Sequence, residues 1–194
     1  MTRKQISLAA GGALLLACGY AVAAVAAAGS PQNAVSTTTL DAGGKPVLLG
    51  PRTKTTGCML GPLPDRRCSP GAYATKLTQA VVCALGFKTP PYRHVPDSEK
   101  HDVEQEYGMN TTTTYGKTLE IDHIVSLELG GSNSIANLFP EKRDVAPGYK
   151  IKDALETHLN TLVCTQHTTT LKAAQIAIAT NWETLYKKVY GTNP

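Results

Sequence analysis

The sequence is poor in aromatic side chains, which limits what a hydrophobic core can be made of. Phe, Trp and Tyr together make up 6% of the 194 residues. Because few large rings are present, the core must be built mainly from Leu, Ile and Val. A chain of this length is expected to form one domain of ordinary size with tails.

The sequence also lacks a C-x-x-C pair, and this absence argues against a zinc site built from cysteines. Of the five cysteines, four lie beyond the first 28 residues. An even number in an exported protein indicates two disulfides, and four cysteines allow three pairings. We favour a Cys58–Cys68 bond, which closes a short loop rich in Pro and Gly. The second bond is then Cys83–Cys164, which ties two predicted helices together.

One long apolar run lies near the start of the chain. The segment from Ile6 to Ala28 is almost entirely apolar, follows the basic residues Arg3 and Lys4, and ends in small residues. This layout is typical of a secretory signal peptide, here residues 1–28, and predicts a secreted or extracytoplasmic protein without stable membrane association. An uncleaved membrane anchor and lipidation of Cys18 are the alternatives, and both also export the domain.

The remaining chain divides into a tail and a domain. Residues 29–56 are rich in Ser, Thr, Gly and Pro and predict a flexible linker with at most a short strand. Residues 57–190 carry the regular patterns and form the predicted domain. The formal net charge is +4, and two of these charges lie in the predicted signal peptide, so the rest of the chain is about +2. That charge is too weak to indicate a nucleic-acid partner by itself.

Hydrophobic and turn patterns predict an α+β domain with a small hairpin and several packed helices. In chain order they predict a short helix in 72–85, an exposed helix in 96–108, a strand within 110–125, a turn at 128–133, a return strand at 136–140 that ends at Pro140, and helices over 149–164 and 171–189. Trp182 lies on the apolar stripe of the last helix, so we expect it in the core.

The stretch "LEIDHIVSLELGGSNSIANLF" carries the candidate chemistry. Phosphodiester cleavage needs a hard divalent cation on carboxylates, a base that is neutral near pH 7, and a rigid scaffold. Asp122 offers the carboxylate and His123 the base, while Asn137 could brace the intervening loop through its amide. Neighbours on a regular strand point to opposite faces, so both side chains can face one site only at a bulge or a strand end.

Together with "KDALETHLNTLVC", this stretch resembles the secreted bacterial HNH-endonuclease-type proteins of the ββα-metal superfamily. The resemblance runs from about residue 63 to the Asn-Trp pair at 181–182. It implies a ββα-metal (HNH-like) hairpin-helix core, with His123 as general base, Asp122 as metal ligand and Asn137 as the middle Asn of the motif. The third family position, usually a His on the helix, has no counterpart, since Gly, Tyr and Lys occupy 148–150.

The periodicity of the predicted helix over 149–164 suggests a substitute ligand. Lys152 and Glu156 are one turn apart on one margin of its apolar stripe, and Asp153 falls further toward solvent. A side chain at that margin can be held by the core and still reach a cleft. We therefore expect Glu156 to be the second metal ligand, with Asp153 as the alternative, and Lys152 to contact phosphate. An ordinary surface ion pair between Lys152 and Glu156 is the competing interpretation.

The resemblance implies an exported, metal-dependent endonuclease that hydrolyses nucleic-acid phosphodiester bonds with little sequence specificity. Mg²⁺ is the first expectation for the metal, with Mn²⁺ or Zn²⁺ as alternatives, and DNA is favoured over RNA as substrate. Lys150 and Arg143 would join Lys152 in offsetting phosphate charge. We expect a monomer. The alternative is a non-catalytic, disulfide-stapled envelope or binding protein that keeps the nuclease scaffold.

Overall fold

The protein folds as an α+β domain, as predicted, but it contains two small antiparallel sheets where the sequence predicted one hairpin. The computed structural model describes residues 42–109, 119–143 and 146–194. The predicted signal peptide, the first part of the predicted linker and the start of the predicted strand at 110–118 lie outside these residues. The described elements are β1 (Pro46–Leu48), β2 (Ala72–Ala74), α1 (Gln79–Val82), α2 (Asp97–Glu106), β3 (Leu119–His123), β4 (Leu138–Lys142), α3 (Tyr149–Cys164) and α4 (Leu171–Tyr190).

The first sheet ties the end of the predicted linker to the domain. Strand β1 pairs antiparallel with β2, with Val47 opposite Tyr73. The next residues continue this attachment, because the backbone N–H of Leu49 donates to the Gly71 carbonyl at 2.8 Å and that of Thr53 donates to the Arg67 carbonyl. Strand β1 lies where the sequence allowed a short strand in the predicted linker, and residues 42–56 are attached to the domain by backbone hydrogen bonds. The composition is that of a linker, but the backbone hydrogen bonds are made with the domain.

Strand β2 also changes the predicted helix at 72–85. Its residues Ala72–Ala74 are extended, and the helix that follows, α1, covers only Gln79–Val82. Alanine is a good helix former, yet these alanines lie in a strand because β1 and the loop beyond β3 supply hydrogen-bond partners on both sides. Tertiary pairing has overridden local propensity here.

The second sheet carries the candidate site. Strands β3 and β4 pair antiparallel, with Ile121 opposite Pro140 and His123 opposite Leu138. Strand β4 continues through Pro140 to Lys142 instead of ending at the proline. A proline is tolerated there because each strand of a two-stranded sheet has an edge that needs no backbone donor.

The two long helices were predicted within a residue or two of their observed ends. Helix α3 packs against α4 and against the 3₁₀ turn Leu127–Leu129. Helix α4 is interrupted at Asn181, where the backbone leaves the helical region (φ −168°, ψ 97°) and the side-chain oxygen accepts from the Thr184 N–H at 2.8 Å, which caps the second segment. Trp182 is buried in the core as predicted, and its indole N–H donates to the Pro62 carbonyl.

Both favoured disulfides are present. Cys58 bonds to Cys68, and Cys83 at the end of α1 bonds to Cys164 at the end of α3. Disulfides persist in oxidising compartments outside the cytoplasm, so they indicate that the domain resides there. Within the described ranges no helix is both long and apolar enough to cross a membrane.

Candidate functional site

Asp122 and His123 line the same cavity because β3 ends at His123, where the chain turns into the following loop. His123 is the last residue of the strand, and the chain then turns into the segment Ile124–Ser126. Both residues are buried, and both line a cavity of about 320 Å³. The strand end thus provides the distortion that the sequence required for the pair to share one site.

The Gly-Gly turn allows the loop after β3 to fold back on itself. Gly130 has a positive φ of 73°, a conformation that side chains with a Cβ rarely adopt. A Cβ on Gly131 would lie 1.8 Å from the Val125 carbonyl oxygen, which leaves no room for any side chain. The Gly131 N–H donates to the Ser126 carbonyl at 2.8 Å. Gly130 is therefore required for its positive φ, and Gly131 is required because the backbone at Val125 approaches it too closely for a side chain.

Asn137 braces this loop with all of its amide capacity. Its Oδ1 accepts from the backbone N–H groups of Ala72 (3.0 Å) and Val125 (2.9 Å). Its Nδ2 donates to the carbonyls of Val125 (3.0 Å) and Ser132 (2.8 Å). The side chain is fully buried, so every one of these bonds satisfies a group that water cannot reach. The bracing contacts predicted for Asn137 are present.

A second asparagine holds the imidazole ring itself. The Nδ2 of Asn133 donates to the Tyr92 carbonyl at 2.8 Å, which directs Oδ1 toward Nε2 of His123 at 3.0 Å. Since that oxygen can only accept, Nε2 carries the ring proton and Nδ1 keeps its lone pair. Burial lowers the pKa of His123, and the nearby Asp122 carboxylate only partly opposes this effect. His123 is therefore a neutral imidazole of one defined tautomer at neutral pH.

Lys152 lies at the centre of a buried charge cluster beside this ring. Its Nζ donates to Oδ2 of Asp122 at 2.6 Å, to Oε1 of Glu156 at 2.5 Å and to the His123 carbonyl at 2.8 Å. Glu141 of β4 contributes a third carboxyl group, 3.9 Å from the same nitrogen. The Lys152 side chain is fully buried, so the ammonium is held by protein groups and not by water.

The cluster separates the pKa values of its acids. Burial opposes ionisation of Asp122, but the Lys152 ammonium outweighs it and lowers the pKa of this carboxyl below its usual value. Burial raises the pKa of Glu156 to about 8 and that of Glu141 to about 10, with Lys152 offsetting part of each shift. The pKa of Lys152 is raised well above normal because the surrounding carboxylates outweigh its burial. A Lys152–Asp122 ion pair is thus the charged core of the cluster.

The cavity in front of this cluster is strongly acidic. The acidic side chains on its lining are Glu120, Asp122, Glu128, Asp153 and Glu156. Among the residues that the structure describes, Arg93 is the one Lys or Arg on that lining, and its Nη1 lies 3.7 Å from Glu120. Burial together with the neighbouring Asp122 raises the pKa values of Glu120 and Asp153. This arrangement favours binding of a cation.

The structure places several predicted site residues differently from the sequence analysis. Lys152 lies on the buried stripe of α3, not at its margin, and its ammonium contacts Asp122, Glu156 and the His123 carbonyl. Glu156 and Asp122 converge as expected, but on Lys152 Nζ. Lys150 and Arg143 are absent from the cavity lining. Lys152 can be buried because Asp122 and Glu156 accept hydrogen bonds from its ammonium and compensate its charge.

Three residues that shape the site were not predicted from the sequence. Asn133 contacts the His123 ring, and the local signal for it is its place in a Gly-Gly-Ser-Asn turn close to the candidate base. Arg93 reaches the cavity from a distant 3₁₀ turn, Pro90–Tyr92, and had no local signal. Glu141 lies in the return strand opposite Glu120, which a register prediction could have found.

No ready-made metal centre is present in the part of the chain that the structure describes. Among those residues, no three His, Cys, Asp or Glu side chains are already arranged to hold an ion. The donors are nevertheless suitable in kind, because carboxylate oxygens are the ligands that Mg²⁺ prefers and Mg²⁺ keeps several waters. Ser126 adds a hydroxyl to the cavity lining that is buried and has no hydrogen-bond partner among the described residues.

Comparison with known proteins does not add a relative. Neither protein-family models, curated proteins nor solved structures match this chain.

Proposed function

We propose that this protein is an exported, metal-dependent hydrolase of nucleic-acid phosphodiester bonds, built on a ββα-metal core. The observation that carries the proposal is the neutral imidazole of His123, held by Asn133 in a single tautomer on the wall of an acidic cavity. A base in that state can take a proton from water near neutral pH. The β3–β4 hairpin followed by α3 supports the same assignment.

In this proposal each residue of the chain has a separate task. His123 accepts the proton of the attacking water at Nδ1, while Asn133 fixes the ring through Nε2. Arg93, half-exposed at the cavity, contacts a phosphate oxygen of the substrate. Asn137 and the Gly-Gly turn keep the His123 loop rigid, which limits displacement of the base from its productive position.

The proposed metal follows from the charge of the cavity. Asp122 is paired with Lys152, and Glu156 is largely protonated. Glu120, Glu128 and Asp153 also line the cavity, however, and their ionised carboxylates would repel a phosphodiester unless a cation entered between them. Asp122 and Glu156, with Asp153 and the Ser126 hydroxyl beside them, are the residues that would hold it. When bound, a divalent ion would offset the phosphate charge and stabilise the leaving oxygen.

Plasmid cleavage by the exported, disulfide-bonded protein tests the proposal. We expect nicking of supercoiled DNA with Mg²⁺ or Mn²⁺ and none with EDTA, and RNA would be assayed in parallel. His123→Ala should lower the rate by roughly 10²-fold or more. His158→Ala is the matched control, since that ring packs near Tyr190 and is absent from the cavity lining. Equal rates for the two variants would refute the role of His123.

A second function is favoured by one specific observation. The Lys152 ammonium pairs with the Asp122 carboxylate, and the pKa of Glu156, raised to about 8, keeps that carboxyl group largely protonated at neutral pH, so the cluster is charge-balanced without a metal. A non-catalytic binding protein that keeps this scaffold would show the same cluster. Absence of cleavage of both DNA and RNA by correctly bonded protein, with each metal, would favour this alternative.

A further inference from the structure

We propose that the Lys152 ammonium is a built-in cation that competes with a divalent ion for Asp122 and Glu156. It keeps the two carboxylates together when no metal is bound and lowers the affinity of the site for the ion. The inference rests on the proposed function in one respect, namely that a divalent ion enters the acidic cavity.

The position of Lys152 is the first support. Its Nζ touches one oxygen of each carboxylate, at 2.6 Å for Asp122 and 2.5 Å for Glu156. A third contact to the His123 carbonyl, at 2.8 Å, uses the remaining donor of the ammonium. Asp122 lies on β3, which also carries the proposed base His123, and Glu156 lies on α3. The Lys152 nitrogen therefore links this strand to this helix.

The second support is that the same carboxylates form part of the cavity wall. Asp122 and Glu156 line the cavity, whereas Lys152 is fully buried and is absent from the lining. An ion held by these carboxylates from the cavity side would lie within a few ångströms of the ammonium. Two cations at that separation in a partly dehydrated site repel each other strongly, so each weakens the binding of the other.

When the ammonium is removed, a bound metal ion should compensate the buried negative charge in its place. Lys152→Met keeps an unbranched side chain of similar length but leaves the buried Asp122 carboxylate without its counter-charge and Glu156 without its hydrogen-bond donor. Uncompensated buried charge is strongly destabilising. A divalent ion in the cavity would restore the balance, so folding of this variant should depend on metal in a way that folding of the wild type does not.

Thermal unfolding and calorimetry with Mn²⁺ alone test this inference without any nucleic acid. For disulfide-bonded Lys152→Met we expect a melting temperature below that of the wild type in EDTA. Saturating Mn²⁺ should raise it by roughly 5–10 °C. The wild type should shift less, and its affinity for Mn²⁺ should be about tenfold weaker or more.

A charge-balanced double variant separates electrostatics from packing. Asp122→Asn combined with Lys152→Met removes one charge of each sign, so it should fold in EDTA and respond little to Mn²⁺. If Lys152→Met does not fold at all while the double variant does, the inference is supported. It is overturned if the double variant is as unstable as Lys152→Met, because Lys152 then acts through packing.

Further outcomes distinguish this inference from the proposed function. Equal Mn²⁺ responses in the wild type and Lys152→Met, or no response in either, would overturn the competition between ammonium and metal. The expected Mn²⁺ pattern in a protein that cleaves neither DNA nor RNA would support the competition and reject the nuclease. Metal-dependent cleavage together with equal Mn²⁺ affinities of the wild type and Lys152→Met would support the nuclease and reject the competition.

Discussion

Asn133 is the residue on which the state of the proposed base depends most directly. Its amide is held by the Tyr92 carbonyl, and this contact decides which imidazole nitrogen of His123 carries the proton. The Tyr92 carbonyl, the Asn133 amide and the His123 ring form a chain of hydrogen bonds. Asn133 itself needs no contact with substrate. It acts as a positioning residue.

Replacement of Asn133 should therefore impair catalysis more than folding. We expect Asn133→Ala to lower the cleavage rate by roughly 10²-fold, because either ring nitrogen can then carry the proton. The ¹⁵N chemical shifts of the His123 ring should show a mixture of tautomers in this variant and a single Nε2–H form in the wild type. Asn133→Asp keeps an acceptor toward Nε2 and should retain part of the single-tautomer signal. An unchanged ring signal in Asn133→Ala would contradict the assignment.

Asp65, which lies outside the cluster around Lys152, is a residue for which the structure predicts a clear pH effect on stability. Its carboxylate accepts from the Arg67 side chain and from the backbone N–H groups of Met59 and Arg67. The Arg67 hydrogen bond is the main cause that lowers the pKa of Asp65 from 3.8 to about 2. A lowered pKa means that the unfolded chain binds the proton more tightly than the folded chain does.

The stabilisation by Asp65 is therefore present above pH 3.8 and is lost as the pH falls toward 2. We expect Asp65→Asn to melt below the wild type at pH 5, with a gap that closes between about pH 4 and pH 2. Thermal unfolding of both proteins across this range measures the gap. A gap independent of pH would show that the ionised state of Asp65 has no effect on stability.

At the scale of elements, the Gly130–Gly131 turn couples the site to the rest of the fold. The Gly130 carbonyl accepts from the Ala74 N–H of β2 at 2.9 Å, and Ser132 donates its backbone N–H to the Ala72 carbonyl. The turn thus joins the His123 loop to the first sheet. Displacement of the turn would disturb both sheets at once.

Gly131→Ala should be among the most destabilising small substitutions in this domain. The added methyl group would meet the Val125 carbonyl oxygen at 1.8 Å, so the backbone itself must move. We expect a loss of more than about 3 kcal/mol in the free energy of unfolding by denaturant. Gly61→Ala is the matched control, because its Cβ would meet only the Leu63 carbonyl at an ordinary 3.8 Å. Similar stabilities for the two variants would rule out the steric account.

At the scale of the whole molecule, the two disulfides differ in what they constrain. The Cys58–Cys68 bond closes 10 residues and the Cys83–Cys164 bond closes 81. Closing a longer loop removes more conformational entropy from the unfolded chain, with a difference of about 2 kcal/mol for these lengths. The longer cross-link also spans the segment that contains β3, β4 and α3.

Removal of the long-range disulfide should therefore destabilise the domain more. We expect Cys83→Ala with Cys164→Ala to lose about 2 kcal/mol more than Cys58→Ala with Cys68→Ala, measured by denaturant unfolding. Because Cys58 and Cys68 are the more buried pair, the same variants should also be measured under reducing conditions. Under reducing conditions none of these proteins has a cross-link, so the difference in stability between each variant and the wild type then reports the loss of packing alone. A larger cross-link contribution from the short loop would contradict the entropy argument.

The features that the sequence predicts well are those encoded by neighbouring residues. The apolar spacing from Leu171 onward fits a helix whatever it packs against, and the cysteine count indicated two bonds before any geometry was known. The Asp-His pair, the Gly-Gly turn and Asn137 lie within 16 residues, so a short local motif already defined the candidate loop.

What only the tertiary structure decided depends on groups brought from distant parts of the chain. Helical spacing could place Lys152 and Glu156 together, but not show that Asp122, 30 residues away, completes an ion pair and buries the lysine. Likewise the tautomer of His123 depends on the Tyr92 carbonyl, which is 41 residues from Asn133. Periodicity follows the polarity of each residue, whereas burial of a charge is decided by the partner that compensates it.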